Sequence, residues 1–135
     1  MSDAILKIDN LRVEFRSKEL GQEIKHAVRG LNLAVRPGEV FGFLGPNGAG
    51  KTTTMNVLLG FVNSTAGDAW LFGVSVRDPI ARQRIGYLPE QTYYYKFLTA
   101  EEILRFYAKI FRIPKNEVEK RIDAVLTQMN LSWSN

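Results

Sequence analysis

The chain has 135 residues, 18 Lys and Arg against 14 Asp and Glu for a net charge of +4, 45% hydrophobic residues and no cysteine. This is the composition of an ordinary globular chain of one domain at most, which excludes collagen-like, coiled-coil and disordered classes, and no apolar stretch approaches the ~20 residues that span a bilayer. The absence of Cys excludes disulfides, thiolate zinc sites and Cys nucleophiles, and the single histidine, His26, leaves no material for a His-built metal site or a Ser-His-Asp triad.

The N-terminus, Met1-Ser2-Asp3-Ala4, lacks the basic and apolar regions of a secretory signal, so the expected location is cytosolic. Residues 5–15 alternate apolar with polar over Leu11, Val13 and Phe15, the period of a half-buried strand. Ser17 to Lys25 reads as a hairpin loop, and alternation returns in Val28, Leu31, Leu33 and Val35 until Arg36-Pro37-Gly38 turns the chain. These two strands form an antiparallel arm. Glu39 to Leu44 is then a short apolar run, as a strand buried on both faces requires. Met55, Leu58, Leu59 and Val62 fall on one face of a helix.

Gly67–Gly73 and Ile85–Leu88 read as two further short strands, with Asp78-Pro79 opening a turn or short helix between them. The basic residues are scattered, and the nearest approach to a cluster, Arg77, Arg82 and Arg84 with Asp78 among them, reads as a solvated face. Thr99 with Glu102 three residues later is a capping box opening a helix whose buried face is Ile103, Phe106, Tyr107 and Ile110. Pro114 ends it. Asn116 with Glu119 reads as a second cap, before a stripe of Val118, Ile122, Val125, Leu126 and Met129.

Gly45-Pro46-Asn47-Gly48-Ala49-Gly50-Lys51-Thr52 matches G-x-x-x-x-G-K-[ST] in full, between an apolar run and a helix as its mechanism requires. Gly48 and Gly50 let the backbone curl so that successive N–H groups point inward at the positive end of the following helix, a concavity for phosphate oxygens. Lys51 reaches the β- and γ-phosphates, Thr52 places its hydroxyl on Mg²⁺, and Thr53 adds a further phosphate contact. A turn that merely caps a helix needs neither the lysine nor the second glycine.

Pro37-Gly38-Glu39 followed by Gly45 to Thr53 resembles the ATP-binding subunit of ABC transporters, in order over almost the whole chain. The resemblance implies an α/β P-loop NTPase fold in three parts: an antiparallel β arm (1–38), a phosphate-loop core reaching the glutamine loop (39–91) and the start of a helical subdomain (92–135). It implies that Phe15 stacks on adenine, a role that needs only a π face. Gln91, after Ile85-Gly86-Tyr87-Leu88-Pro89-Glu90, matches the glutamine that contacts Mg²⁺ and the attacking water and senses the membrane partner. ATP and Mg²⁺ are the implied cofactors. A transmembrane permease subunit and a second ATP-binding domain are the implied partners, with no nucleic acid, at the inner face of the cell membrane. The Pro-Glu-Gln form and the aromatic segment after it look most like bacterial export-type ATPases, and Tyr93-Tyr94-Tyr95-Lys96-Phe97 reads either as part of a docking surface or as cover for the domain's own core.

Other family elements are missing from the 135 residues. No apolar strand ends in an acidic pair, no Leu-Ser-Gly-Gly-Gln signature occurs, and no histidine follows an acidic strand. Leu131-Ser132-Trp133-Ser134-Asn135 has no glycine, and His26 lies ahead of the phosphate loop, where a surface role is expected. The chain is therefore expected to be the first part of such a domain, to bind nucleotide without hydrolysing it, and to be marginally stable alone because its parallel sheet lacks a middle strand. Two other readings fit the phosphate loop or the charge less well: a small P-loop phosphotransferase, which needs a lid and an acceptor pocket, and a nucleic-acid module, which needs aromatics alternating with Lys or Arg on one sheet face.

Overall fold

The computed structural model describes residues 4–16, 23–91 and 97–131, which fall into two units, Met1–Gly86 and Tyr87–Asn135. In the first, β1 (Leu6–Arg16) pairs antiparallel with β2 (Ile24–Val35) on one side and β3 (Ala66–Leu71) on the other, and β4 (Val74–Ser75) completes the order β2-β1-β3-β4. Central β1 carries the clearest alternation: Ile8, Leu11 and Val13 are buried, with Lys7, Asp9 and Arg12 exposed beside them. Those three side chains meet Val28, Ala69 and Leu71 of the flanking strands and Val57 and Leu58 of helix α1 (Lys51–Leu58) in one core, closed at its end by Val76 and Ala81.

The arm expected from residues 5–15 and 28–35 is present, and it is larger than the sequence implied. The segment expected as one strand over 67–73 folds back at Phe72-Gly73, both at positive φ (51° and 79°), a two-residue hairpin turn that sends β4 back along β3. Asp78 caps the short 3₁₀ helix Pro79–Arg82 by accepting from Ile80 N at 2.9 Å.

Two expected strands are absent. Residues 39–44 and 85–88 have no sheet partner, and the sheet among the described residues is wholly antiparallel. Val40 and Leu44 are 101% and 92% exposed, and Leu88 is exposed too. An apolar run states that a segment seeks cover on both faces, but a strand exists only where neighbouring strands accept its hydrogen bonds, and none of the described strands pairs with these segments.

The arginines at 77, 82 and 84 do more than face solvent. Arg77 pairs with Asp68 at 3.0 Å, half-buried Arg82 donates to Val76 O at 2.6 Å and lies against Gly60 just beyond α1, and Arg84 sits 4.4 Å from the Phe72 ring centroid.

The second unit is a pair of helices, α2 (Ala100–Ile110) and α3 (Lys115–Gln128). The capping box forms as expected: Glu102 N donates to Thr99 Oγ1 at 3.3 Å, and Thr99 N donates to Glu102 Oε2 at 2.8 Å. The second expected cap does not form. Pro114 itself occupies the N-cap of α3, Asn116 lies inside the helix, and Glu119 turns to α2, where it takes a two-pronged contact from Arg105 at 3.0 and 2.8 Å. A proline at the junction favours an extended backbone and leaves the first turn to form without a side-chain acceptor. The expected stripes are only partly covered: Ile122 and Leu126 are buried and Ile103 and Val118 half-buried, whereas Phe106, Tyr107, Ile110, Val125 and Met129 are exposed, and α2 buries Ala108, which lay outside the expected stripe. Likewise Met55 of α1 is exposed while Val57 and Leu58 are buried. Two packed helices bury one strip of each other, narrower than the apolar arc these sequences carry.

The acids of this unit set its acid sensitivity. Accepted hydrogen bonds from the Thr99 backbone and hydroxyl hold Glu102 below its ordinary value of 4.5, and the Arg105 guanidinium does the same for Glu119. A carboxylate depressed on folding adds stability above its unfolded pKa and loses it as pH falls through the folded value. Helicity is therefore expected to hold from pH 7 to about 4.5 and to decline below it, with Glu119→Gln flattening the decline; circular dichroism at 222 nm from pH 7 to 2 checks this.

Candidate functional site

The phosphate loop runs from Gly45 to Gly50 into α1. Gly48 and Gly50 take φ of 84° and 87°, the left-handed region that side-chain-bearing residues avoid, and Gly50 is the N-cap of α1. Gly50 also lies against β2. A Cβ there would stand 2.4 Å from the Ala27 carbonyl oxygen and 3.2 Å from Val28 Cγ2, whereas a Cβ at Gly48 would meet nothing within 4 Å. The two glycines thus differ: Gly48 shapes the loop, and Gly50 both shapes it and seats it on the arm.

Ala27 is where β2 can receive the loop, because the register slips between Val13/Val28 and Glu14/His26 and bulges the strand at Ala27. The same register sets Phe15 opposite Lys25, two residues from Ala27, and the residue is 43% exposed. An exposed aromatic at the end of an otherwise buried apolar row has a free face.

Inside the loop, Ala49 N donates to Pro46 O at 3.2 Å, and Lys51 Nζ donates to Gly45 O and, at 2.9 Å, to Pro46 O. The N–H groups of Gly48, Gly50, Lys51, Thr52 and Thr53 have no acceptor within the chain among the described residues. A cation folded over a row of unmatched donors at the positive end of a helix is a cradle for phosphate oxygens. Thr52 is exposed, with its hydroxyl available to a metal that takes most of its ligands from phosphate and water. No cluster of three or more metal-ligating side chains occurs among the described residues. The exposed Thr52 hydroxyl fits an Mg²⁺ ion delivered with a phosphate ligand. A hollow of about 460 Å³ opens beside the loop, lined by Gly48, Ala49, Lys51 and Thr54 and, across it, by His26 and Arg29 of β2.

Thr54 went unnoticed in the sequence. It is 2% exposed, and its hydroxyl donates to Gly50 O at 2.9 Å, the carbonyl that also accepts Thr54 N at 2.8 Å. Its only sequence signal is its place four residues after the second glycine. Thr54→Val keeps the shape and removes one hydrogen bond, and is expected to lower stability by about 1 kcal/mol in urea unfolding.

Gly45, Pro46, Asn47, Gly48, Ala49, Gly50, Lys51, Thr52 and Thr53 form one loop running into the first turn of α1. Gln91 is exposed and belongs to the second unit. Residues 92–96 of the aromatic segment and 132–135 of the C-terminal segment lie outside the described residues. His26 is at the surface, its Nδ1 3.0 Å from Glu14 Oε1, on the border of the hollow beside the loop.

The sequence profile of the family described as "ABC transporter" matches residues 28–134. An uncharacterized ABC transporter ATP-binding protein of Synechocystis sp. is 44% identical over 106 residues, covering 78% of this chain and 30% of its own length. A second, from Nostoc sp., is 37% identical over 129 residues, covering 96% of this chain and 38% of its own. The chain thus spans about a third of these curated relatives. Among solved structures, an ATP-binding cassette in a dimeric, post-hydrolysis state bound to ADP and Pi superposes with a TM-score of 0.74 at 25% identity, over 94% of this chain and 58% of that one.

Proposed function

The chain belongs to the ABC transporter family, and from that membership we propose that it is the nucleotide-binding portion of a transporter ATPase, taking Mg-ATP at the phosphate loop. The observation that carries this reading is the Lys51 ammonium held over the loop by the Gly45 and Pro46 carbonyls, beside five N–H groups without acceptors among the described residues. An incoming triphosphate satisfies those donors and gives Lys51 a charged partner in place of two neutral ones. Thr52 holds Mg²⁺ and Thr53 adds a phosphate contact, while Phe15 stacks on adenine. Mg²⁺, when bound, neutralises phosphate charge. In the role the family resemblance gives it, Gln91 senses a transmembrane permease subunit on the cytoplasmic side, and a second ATP-binding domain pairs with the first. The 135 residues by themselves carry the binding half of this chemistry and turn ATP over at background rate.

The two other readings, a small phosphotransferase and a nucleic-acid module, are not favoured by a family match spanning residues 28–134. Base stacking is worth about 1–3 kcal/mol by alanine substitution, so Phe15→Ala is expected to weaken ATP roughly tenfold. Displacement of a fluorescent ATP analogue tests this: unlabelled pyrophosphate, which has no base, should bind the variant and the parent equally. Equal loss for ATP and pyrophosphate would place Phe15 in the scaffold, and failure of ATP to compete at all would overturn the reading.

A further inference from the structure

The β1–β2 register sets Arg12 directly opposite Arg29. Like charges in that relation destabilise a sheet, and neighbouring acids ordinarily relieve them. Here they do not. Arg77, Arg105 and Arg121 each pair with carboxylates, whereas neither Arg12 nor Arg29 has a carboxylate partner among the described residues. Glu14, the acid that lines the same hollow, is engaged by His26 at 3.0 Å. Arg12, Glu14, His26, Val28 and Arg29 together line a hollow of about 360 Å³. Lys51 and the loop glycines have no part in it, although His26, Val28 and Arg29 also border the loop's own hollow.

We propose that Arg12 and Arg29 form a second anion site on the flank of the nucleotide site, and that its ligand is a phosphate monoester group. Two planar guanidinium forks on adjacent strands present donors to several oxygens of one tetrahedral anion, a geometry a single lysine cannot offer. The hollow has room beyond one phosphate, so it accepts the charged end of a larger molecule, free in solution or an anionic lipid headgroup. Binding cancels the repulsion between the two guanidiniums, so the pair is most stable when occupied.

The test uses the full chain carrying Lys51→Ala, which silences the phosphate loop. Inorganic phosphate is titrated at constant ionic strength while the arginine Nε–Hε resonances are followed, and vesicles of phosphatidylcholine with and without phosphatidic acid are tested by cosedimentation. The site predicts saturable shifts of Arg12 and Arg29, weakened at least tenfold by Arg12→Gln with Arg29→Gln. Sedimentation with phosphatidic acid that the double variant loses identifies the lipid headgroup as the source, and phosphate binding without sedimentation identifies a soluble ligand. Arg29→Glu converts the repelling pair into an attracting one, so it should lose binding and melt no lower than its parent, which separates loss of the site from loss of the fold. The proposal is overturned if neither probe binds, or if binding survives unchanged in the double variant or in Arg29→Glu.

Discussion

Replacing Gly50 by alanine is expected to lower the thermal midpoint of the first unit by roughly 10 °C, corresponding to about 2 kcal/mol for a unit of this size, and to abolish its response to Mg-ATP. Two penalties coincide at this position. A side chain at φ 87° is strained by itself, and its Cβ would stand 2.4 Å from the Ala27 carbonyl oxygen, a backbone atom that moves only if β2 moves. The loop would lift from the arm, carrying the N-terminus of α1 with it. Gly48→Ala separates the two effects, because it imposes the same strain at φ 84° with open space around it. Its midpoint should fall by about half as much. Equal losses for the two variants in a thermal melt would mean that the seat on Ala27 contributes nothing.

Lys51→Ala is expected to remove the stabilisation that Mg-ATP confers while leaving the unliganded midpoint within a few degrees of the parent. The side chain's own bonds go to the Gly45 and Pro46 carbonyls at the surface, so their loss has a modest effect. Ligand that binds only the folded chain stabilises it by about 2.7 kcal/mol at a hundredfold excess over Kd, and that whole increment depends on the cation facing the phosphates. Thermal unfolding of both chains with and without Mg-ATP measures the difference.

The phosphate loop was readable from sequence because its chemistry is local: the glycines, the lysine and the threonines lie within nine residues, and their spacing alone fixes where donors and cation meet. The Thr99–Glu102 cap was readable for the same reason. What escaped was non-local. Whether 39–44 becomes a strand depends on which strands lie beside it, and its apolar residues say only that cover is wanted. Ala27 receives Gly50 because of a one-residue slip between β1 and β2, and no feature of Ala27 or its neighbours in sequence announces a bulge. The exposed faces of Phe106 and Met129 follow from the narrowness of a two-helix contact, which periodicity does not encode. Asn116 and Glu119 had the right spacing for a cap and the wrong context, since Arg105 of the neighbouring helix offers Glu119 a charged partner that a backbone N–H does not match.

The central claim is that the Gly45–Thr53 loop binds Mg-ATP through Lys51, and calorimetric titration of Mg-ATP into the parent chain and into Lys51→Ala tests it most directly. The account predicts one saturable site per chain in the parent and no resolvable heat of binding in the variant. Equal binding by both chains, or none by the parent, would contradict it.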